Sequence, residues 1–109
     1  MPKYILMLRD SGAFPDDITP EEMQEILGRY SAWRVKVNAT GQKLTDGEGR
    51  VVTRKDHGVS VTDGPYVESK EVIGGFFVIE AGSYEEAIRI SDDCPHLDFG
   101  SIEIREIER

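Results

Sequence analysis

Two stretches of the sequence hold residue types that move protons. In "DGPYVESKEVIGGFF", residues 63–77, Asp63 begins an Asp-Gly-Pro corner and further charged side chains, among them Lys70, lead directly into an apolar run. Near the end of the chain, His96 lies in "CPHLDFGS". A carboxylate beside a buried strand and a histidine are both suited to general acid–base catalysis near neutral pH. Asp63 and His96 are therefore the candidate catalytic residues.

Each candidate also has a purely structural interpretation. Asp63 can hold the corner by accepting hydrogen bonds from turn amides, and His96 can bond the backbone of its own loop. The other histidine, His57, falls at a predicted hairpin tip, which favours a solvated turn residue. Cys94 is either a nucleophile paired with His96 across a proline or a buried, inert thiol.

Several other chemistries lack the residues they need. Two separated histidines and one cysteine provide no metal-ligand cluster, so we predict no metal. The "GEG" at residues 47–49 lacks the third glycine and the strand-to-helix setting of a dinucleotide loop, and no phosphate loop is present. The sequence therefore predicts acid–base chemistry without a cofactor.

Length and charge limit the classes of partner. A chain of 109 residues is the size of one domain, and we expect residues 1–109 to form it. The net charge of -8 opposes nucleic acid and anionic membrane surfaces, but suits a basic protein partner. The opening stretch "MPKYILMLRD" is too short an apolar run for a signal peptide or a membrane span, so we predict a cytoplasmic protein.

The hydrophobic pattern predicts strand, helix, strand with hairpin, strand, helix, strand. "YILML" and "GFFVIEA" are apolar strands, and "VVTRKDHGVSVT" is the hairpin. The first helix has Thr19 as N-cap in a capping box with Glu22, an apolar stripe that includes Tyr30 and Trp33, and a stop at Gly41. The second helix starts after Ser83 and is expected to end at Pro95. This order is typical of a ferredoxin-like α+β domain with a split β-α-β arrangement.

The two apolar strands also predict an oligomer. Both alternating sets of side chains are apolar in these strands, so both faces of the sheet favour burial, whereas two helices can cover only one face. A second copy of the chain is the simplest cover for the other face, and we therefore predict a homodimer.

The stretch "VTDGPYVESKEVIGGFFVIEA", together with "SYEEAI", "CPHL" and "GSIEIREI", resembles the YCII-related (YciI-like) family, in particular its branch named for a DGPF motif. The resemblance extends from "KYILML" to the end of the chain. It implies a dimeric α+β barrel with a cleft in each subunit.

YciI-like members share a histidine on the first helix and an aspartate, and Tyr30 stands here at the position of that histidine. The resemblance therefore does not support the family's His-Asp dyad, whereas the features of the DGPF branch are present. It implies a site with Asp63 as base or anchor, His96 as its partner, Tyr30 and Trp33 along an apolar wall, and Lys70 and Arg105 as further ligand-binding residues.

Three interpretations follow as expectations, and the last of them is a purely structural dimer in which the Asp63 corner only terminates a strand. The first is a small dimeric protein that binds an unidentified small organic molecule in the cleft and transforms it by metal-free acid–base catalysis. The second is a regulatory or interaction module, because some DGPF-type members are associated with extracytoplasmic-function sigma factors.

Overall fold

A computed structural model describes residues 1–10, 17–44, 49–64 and 72–108 of the chain. The elements are β1 (Lys3–Asp10), α1 (Pro20–Lys36), β2 (Thr40–Lys43), β3 (Gly49–Lys55), β4 (Gly58–Gly64), β5 (Val72–Glu80), α2 (Tyr84–Ser91), a short 3₁₀ helix (Pro95–Asp98) and β6 (Gly100–Ile107). Within these ranges, no helix combines the length and the hydrophobicity needed to cross a bilayer.

The main sheet has the strand order β2-β5-β1-β6 and every neighbouring pair is antiparallel. With α1 between β1 and β2 and α2 between β5 and β6, this is the ferredoxin-like order, and it confirms the predicted α+β class. Strands β3 and β4 form a separate two-stranded sheet. The tip residues of this hairpin, Asp56 and His57, both have positive φ, as a two-residue hairpin turn requires, which confirms the predicted turn.

Helix α1 begins as predicted and ends earlier than predicted. The side chain of Thr19 accepts a hydrogen bond from the Glu22 amide, and the Glu22 carboxylate accepts one from the Thr19 amide. The helix ends at Lys36 rather than near Gly41, because Asn38 adopts φ 57° and two further backbone bonds close the last turn in a Schellman motif. Asparagine tolerates this left-handed conformation better than most residues, so it ends the helix in place of glycine.

The end of α2 also differs from the prediction. The helix ends at Ser91, and Pro95 begins a 3₁₀ helix instead of ending α2. Pro95 fits the first position of a helix because its missing N–H has no intrahelical partner there. As a result, Cys94 belongs to the connection between α2 and the 3₁₀ helix.

The two faces of the main sheet differ in burial. Tyr4, Leu6 and Leu8 of β1 face the helices and are buried, as is Ile79 of β5. The alternate side chains of the same strands, Ile5, Met7, Phe76 and Val78, lie on the opposite face and are half-buried. The radius of gyration, 16.0 Å, exceeds the roughly 13 Å expected for a compact chain of about this length. The homodimer that would cover this opposite face stays a prediction.

Helix α1 is held against the connection between α2 and β6. The indole Nε1 of Trp33 donates to Asp93 at 3.0 Å, the Lys36 ammonium pairs with the same carboxylate, and Arg29 pairs with Asp98 at 2.7 Å. Trp33 also packs edge-to-face on Phe77 of the sheet, with ring centroids 5.1 Å apart. These contacts fix the C-terminal half of the helix.

The contacts of Asp93 predict how stability depends on pH. The hydrogen bonds from Lys36 and then from Trp33 lower the pKa of Asp93 below its ordinary value of 3.8. A carboxyl group whose pKa is lower in the folded state stabilises the fold above its unfolded pKa, and this contribution is lost as the pH falls through the folded pKa. We therefore expect the free energy of unfolding of Asp93→Asn to fall less than that of the wild type when the pH is lowered below about 4.

Urea unfolding between pH 6 and pH 3, followed by Trp33 fluorescence, measures this effect. Asp92→Asn removes the adjacent exposed carboxylate and is the matched control. An Asp93→Asn variant with the same pH dependence as the wild type and the control would contradict the assignment.

Candidate functional site

A cavity of about 360 Å³ lies between α1 and the edge of the sheet formed by β2 and β5. Its apolar wall consists of Leu8, Met23, Leu27, Phe76 and Phe77. Its polar groups come from Tyr30, Ser31, Arg34, Gln42, Lys43 and His96, and three glycines, Gly41, Gly74 and Gly75, complete the lining. A mostly apolar cleft with a few polar groups is the usual form of a small-molecule site.

The predicted apolar stripe of α1 explains why the cavity exists. Only Trp33 of this stripe is buried, whereas Met23 and Tyr30 are half-buried and Leu27 is 40% exposed. The C-terminal half of the helix is fixed through Trp33 and its neighbours, and the N-terminal half stands over the sheet without filling the space beneath it. The stripe therefore lines the cavity as well as the core.

The sheet is irregular beside the cavity. Leu8 of β1 pairs with Gly75 of β5 and Arg9 pairs with Ile73, so Gly74 is an extra residue with no partner in β1. The Gly74 carbonyl accepts instead from the Leu44 amide at 2.9 Å. A bulge of this kind redirects the chain and is frequent next to functional sites.

Tyr30 and His96 form a hydrogen-bonded pair at the cavity wall. The phenol oxygen of Tyr30 lies 2.9 Å from Nδ1 of His96, and Nε2 of His96 lies 3.0 Å from the carbonyl oxygen of Arg9. A carbonyl only accepts, so Nε2 carries a proton and donates to Arg9. In the neutral imidazole, Nδ1 is then an acceptor and the Tyr30 hydroxyl donates to it.

His96 is held in place by the backbone around it. The residue is 2% exposed and belongs to the 3₁₀ helix, which begins at Pro95. Gly100, at the start of β6, provides the space for the His96 ring because it has no side chain. A Cβ on Gly100 would lie 2.0 Å from the Arg9 oxygen and 3.0 Å from Nε2 of His96. A side chain at position 100 is therefore incompatible with this arrangement of the ring.

The structure brings together two of the predicted site residues, Tyr30 and His96. Trp33 packs in the core against Phe77 and donates to Asp93, and it is not among the residues that line the cavity. Arg105 lies on β6, on the face opposite the helices, 3.7 Å from Glu103. His57 is exposed at the hairpin tip, as predicted.

The structure does not describe the side chains of the two remaining predicted residues, Asp63 and Lys70. The backbone of Asp63 belongs to β4, where it pairs with Arg50, but its side chain is outside the described part of the chain. Lys70 is outside the described residues altogether. Their roles as base or anchor and as ligand-binding residue stay predictions.

Cys94 has the properties of the inert thiol. It is buried, and burial raises the pKa of the thiol, so little thiolate is present near neutral pH. Among the described residues, no group of three or more His, Cys, Asp or Glu side chains could hold a metal ion.

Sequence reasoning missed the cavity residues Ser31, Arg34, Gln42 and Lys43. It also missed the two residues that hold the His96 ring, Arg9 and Gly100. Arg34 had a detectable signal, because it follows Tyr30 by four residues and so shares its helix face. The carbonyl of Arg9 had none, because every residue carries this group.

The chain is similar to a known domain family and to a solved structure. The protein At3g17210 from Arabidopsis thaliana has a similar solved structure, with a TM-score of 0.43 and 11% identity over 100% of this chain and 95% of that chain. No curated protein matches the chain significantly. The family model for the YCII-related domain matches residues 3–109. Since the match spans nearly the whole sequence, the chain belongs to the YCII-related domain family.

Proposed function

We propose that the protein binds a small organic molecule in the cavity between α1 and the sheet and transfers a proton of that molecule through Tyr30 and His96. The observation that carries this proposal is the 2.9 Å hydrogen bond between the Tyr30 hydroxyl and Nδ1 of His96 at the cavity wall. A fold alone does not name a reaction, so the proposal rests on this site.

The proton can move in two coupled steps. A substrate proton passes to the phenol oxygen of Tyr30 while the phenol proton passes to Nδ1 of His96, which becomes an imidazolium. The carbonyl of Arg9 stabilises this cation, because it accepts from Nε2 in both charge states. The reverse transfer returns a proton to the substrate, so the same pair acts first as base and then as acid.

The two side chains have different roles. Tyr30 is half-buried and lines the cavity, so it is the group that touches the substrate. His96 is almost fully buried and acts through Tyr30.

A thermal-shift screen of metabolites tests whether the cavity binds a ligand. A compound at about a hundred times its dissociation constant stabilises the folded state by roughly 2.7 kcal/mol, which raises the melting temperature by roughly 10–20 °C. We expect hits on the wild type to be lost in Leu27→Trp, because Leu27 lines the cavity and a larger side chain would occupy it.

Val35→Trp is the matched control. Val35 lies on the same helix, is 71% exposed and is not among the residues that line the cavity, so this variant should keep every hit. If the hits bind Leu27→Trp as well as the wild type, the ligand binds elsewhere and the proposal is wrong.

A further inference from the structure

The charges around the cavity are opposite to those of the chain as a whole. The chain has 21 acidic and 13 basic residues, yet no Asp or Glu is among the described residues that line the cavity. The two charged lining residues are both basic, Arg34 and Lys43. This local excess of positive charge indicates an anionic ligand.

Arg34 differs from the other cations near it on α1. Arg29 pairs with Asp98, and Lys36 pairs with Asp93. The Arg34 guanidinium has no carboxylate within ion-pair distance among the described residues, and its one hydrogen bond there, to the Ala39 carbonyl, is long at 3.5 Å. A guanidinium at a cavity wall with one weak neutral partner is available to bind an anion.

We propose that the ligand of the cavity carries a carboxylate on a mainly apolar body and that Arg34 binds this carboxylate. The inference rests on the proposed function, since it concerns the same cavity. The planar guanidinium matches a carboxylate with two parallel hydrogen bonds, which a neutral group cannot reproduce at the same strength. Lys43 adds a second positive charge from the sheet side.

The size of the cavity and the position of Arg34 set the size of the ligand. A volume of about 360 Å³ corresponds to about a dozen water molecules, which suits one ring or a short chain with its substituents. Tyr30 and Arg34 are neighbours on one helix face, with Cβ atoms about 5–6 Å apart. A carboxylate on Arg34 therefore leaves the other end of an aromatic acid within reach of the Tyr30 hydroxyl.

Two matched probe pairs test this assignment, benzoate with benzamide and 4-hydroxybenzoate with 4-hydroxybenzamide. Each pair has the same shape and differs in charge. NMR titration of ¹⁵N-labelled protein gives both dissociation constants from the shifts of cavity residues. Because a hydrogen bond to a charged group is worth more than a neutral one, we expect each acid to bind about 10- to 100-fold more tightly than its amide.

Variants assign the preference to Arg34. Arg34→Gln should remove most of the preference for the acid, with a small remainder due to Lys43, and leave binding of the amide unchanged. Arg34→Lys should restore part of the preference. Arg89→Gln, on the exposed side of α2, changes the net charge equally and should leave the preference intact.

The possible failures are distinguishable. If acid and amide bind the cavity equally, or if the full preference survives Arg34→Gln, the carboxylate assignment is wrong while ligand binding in the cavity stands. If neither probe of either pair shifts a cavity signal, the carboxylate assignment is likewise wrong. The proposed function is tested separately, by whether the metabolite hits still bind Leu27→Trp.

Discussion

Tyr30→Phe is expected to lower turnover of any substrate found for the cavity by about 10²- to 10⁴-fold, the usual contribution of a positioned acid–base group. The change removes only the hydroxyl that donates to Nδ1 of His96, so the ring still lines the cavity. Substrate affinity should therefore change much less than turnover. Steady-state kinetics separates the two effects, because a group needed only for proton transfer lowers kcat and leaves KM nearly unchanged.

Tyr84→Phe is the matched control for this prediction. Tyr84 begins α2 and is not among the residues that line the cavity. Its hydroxyl accepts a hydrogen bond from the Glu106 amide on β6. This variant should keep wild-type turnover. Full activity in Tyr30→Phe would show that the Tyr30 hydroxyl does not transfer the proton, and a rise in KM alone would assign Tyr30 to binding.

Gly100→Ala is expected to destabilise the fold and to disturb the site at the same time. The new methyl group would lie 2.0 Å from the Arg9 carbonyl oxygen, so either the β1–β6 pairing or the His96 ring must move. Overpacking of this kind costs typically about 1–3 kcal/mol, and each kcal/mol lowers the melting temperature of a domain of this size by roughly 4–8 °C. The displacement should also impair the proton relay, because the Arg9 carbonyl holds the His96 ring.

Gly28→Ala is a control with the opposite expected sign. Gly28 lies in α1 and a Cβ there would have no atom within 4 Å, so alanine should stabilise the helix by about 0.8–1 kcal/mol. Calorimetry of the two variants checks both signs. A Gly100→Ala protein as stable as the wild type would contradict the tight approach of β6 to His96.

The fold was predictable because its signals are local. The capping box of Thr19 and Glu22, the hairpin with its tip at Asp56 and His57, and the alternating pattern of β6 each depend on residues a few positions apart. The errors concern the ends of the two helices. Asn38 ended α1 ahead of Gly41, and Pro95 began a 3₁₀ helix instead of ending α2.

The sequence indicated two residues of the cavity, Tyr30 and His96, but not their pairing. Tyr30 and His96 were both candidates, yet 66 positions separate them, and their contact depends on how α1 docks on residues 93–98. No local pattern specifies that docking, because it results from Trp33 and two ion pairs that surface residues make in many proteins. His96 contacts Tyr30 and the Arg9 carbonyl, and its predicted partnership with Asp63 stays a prediction because the Asp63 side chain is outside the described part of the chain.

The most direct test of the Tyr30–His96 relay is the protonation state of the His96 ring, measured by ¹⁵N NMR of the imidazole nitrogens. The chain has two histidines, so exposed His57 provides an internal reference. In the neutral ring, we predict a proton on Nε2 and an Nδ1 resonance typical of a hydrogen-bonded acceptor, which should move in Tyr30→Phe while the His57 signals stay unchanged. A proton on Nδ1, or an Nδ1 resonance that Tyr30→Phe leaves in place, would contradict the relay.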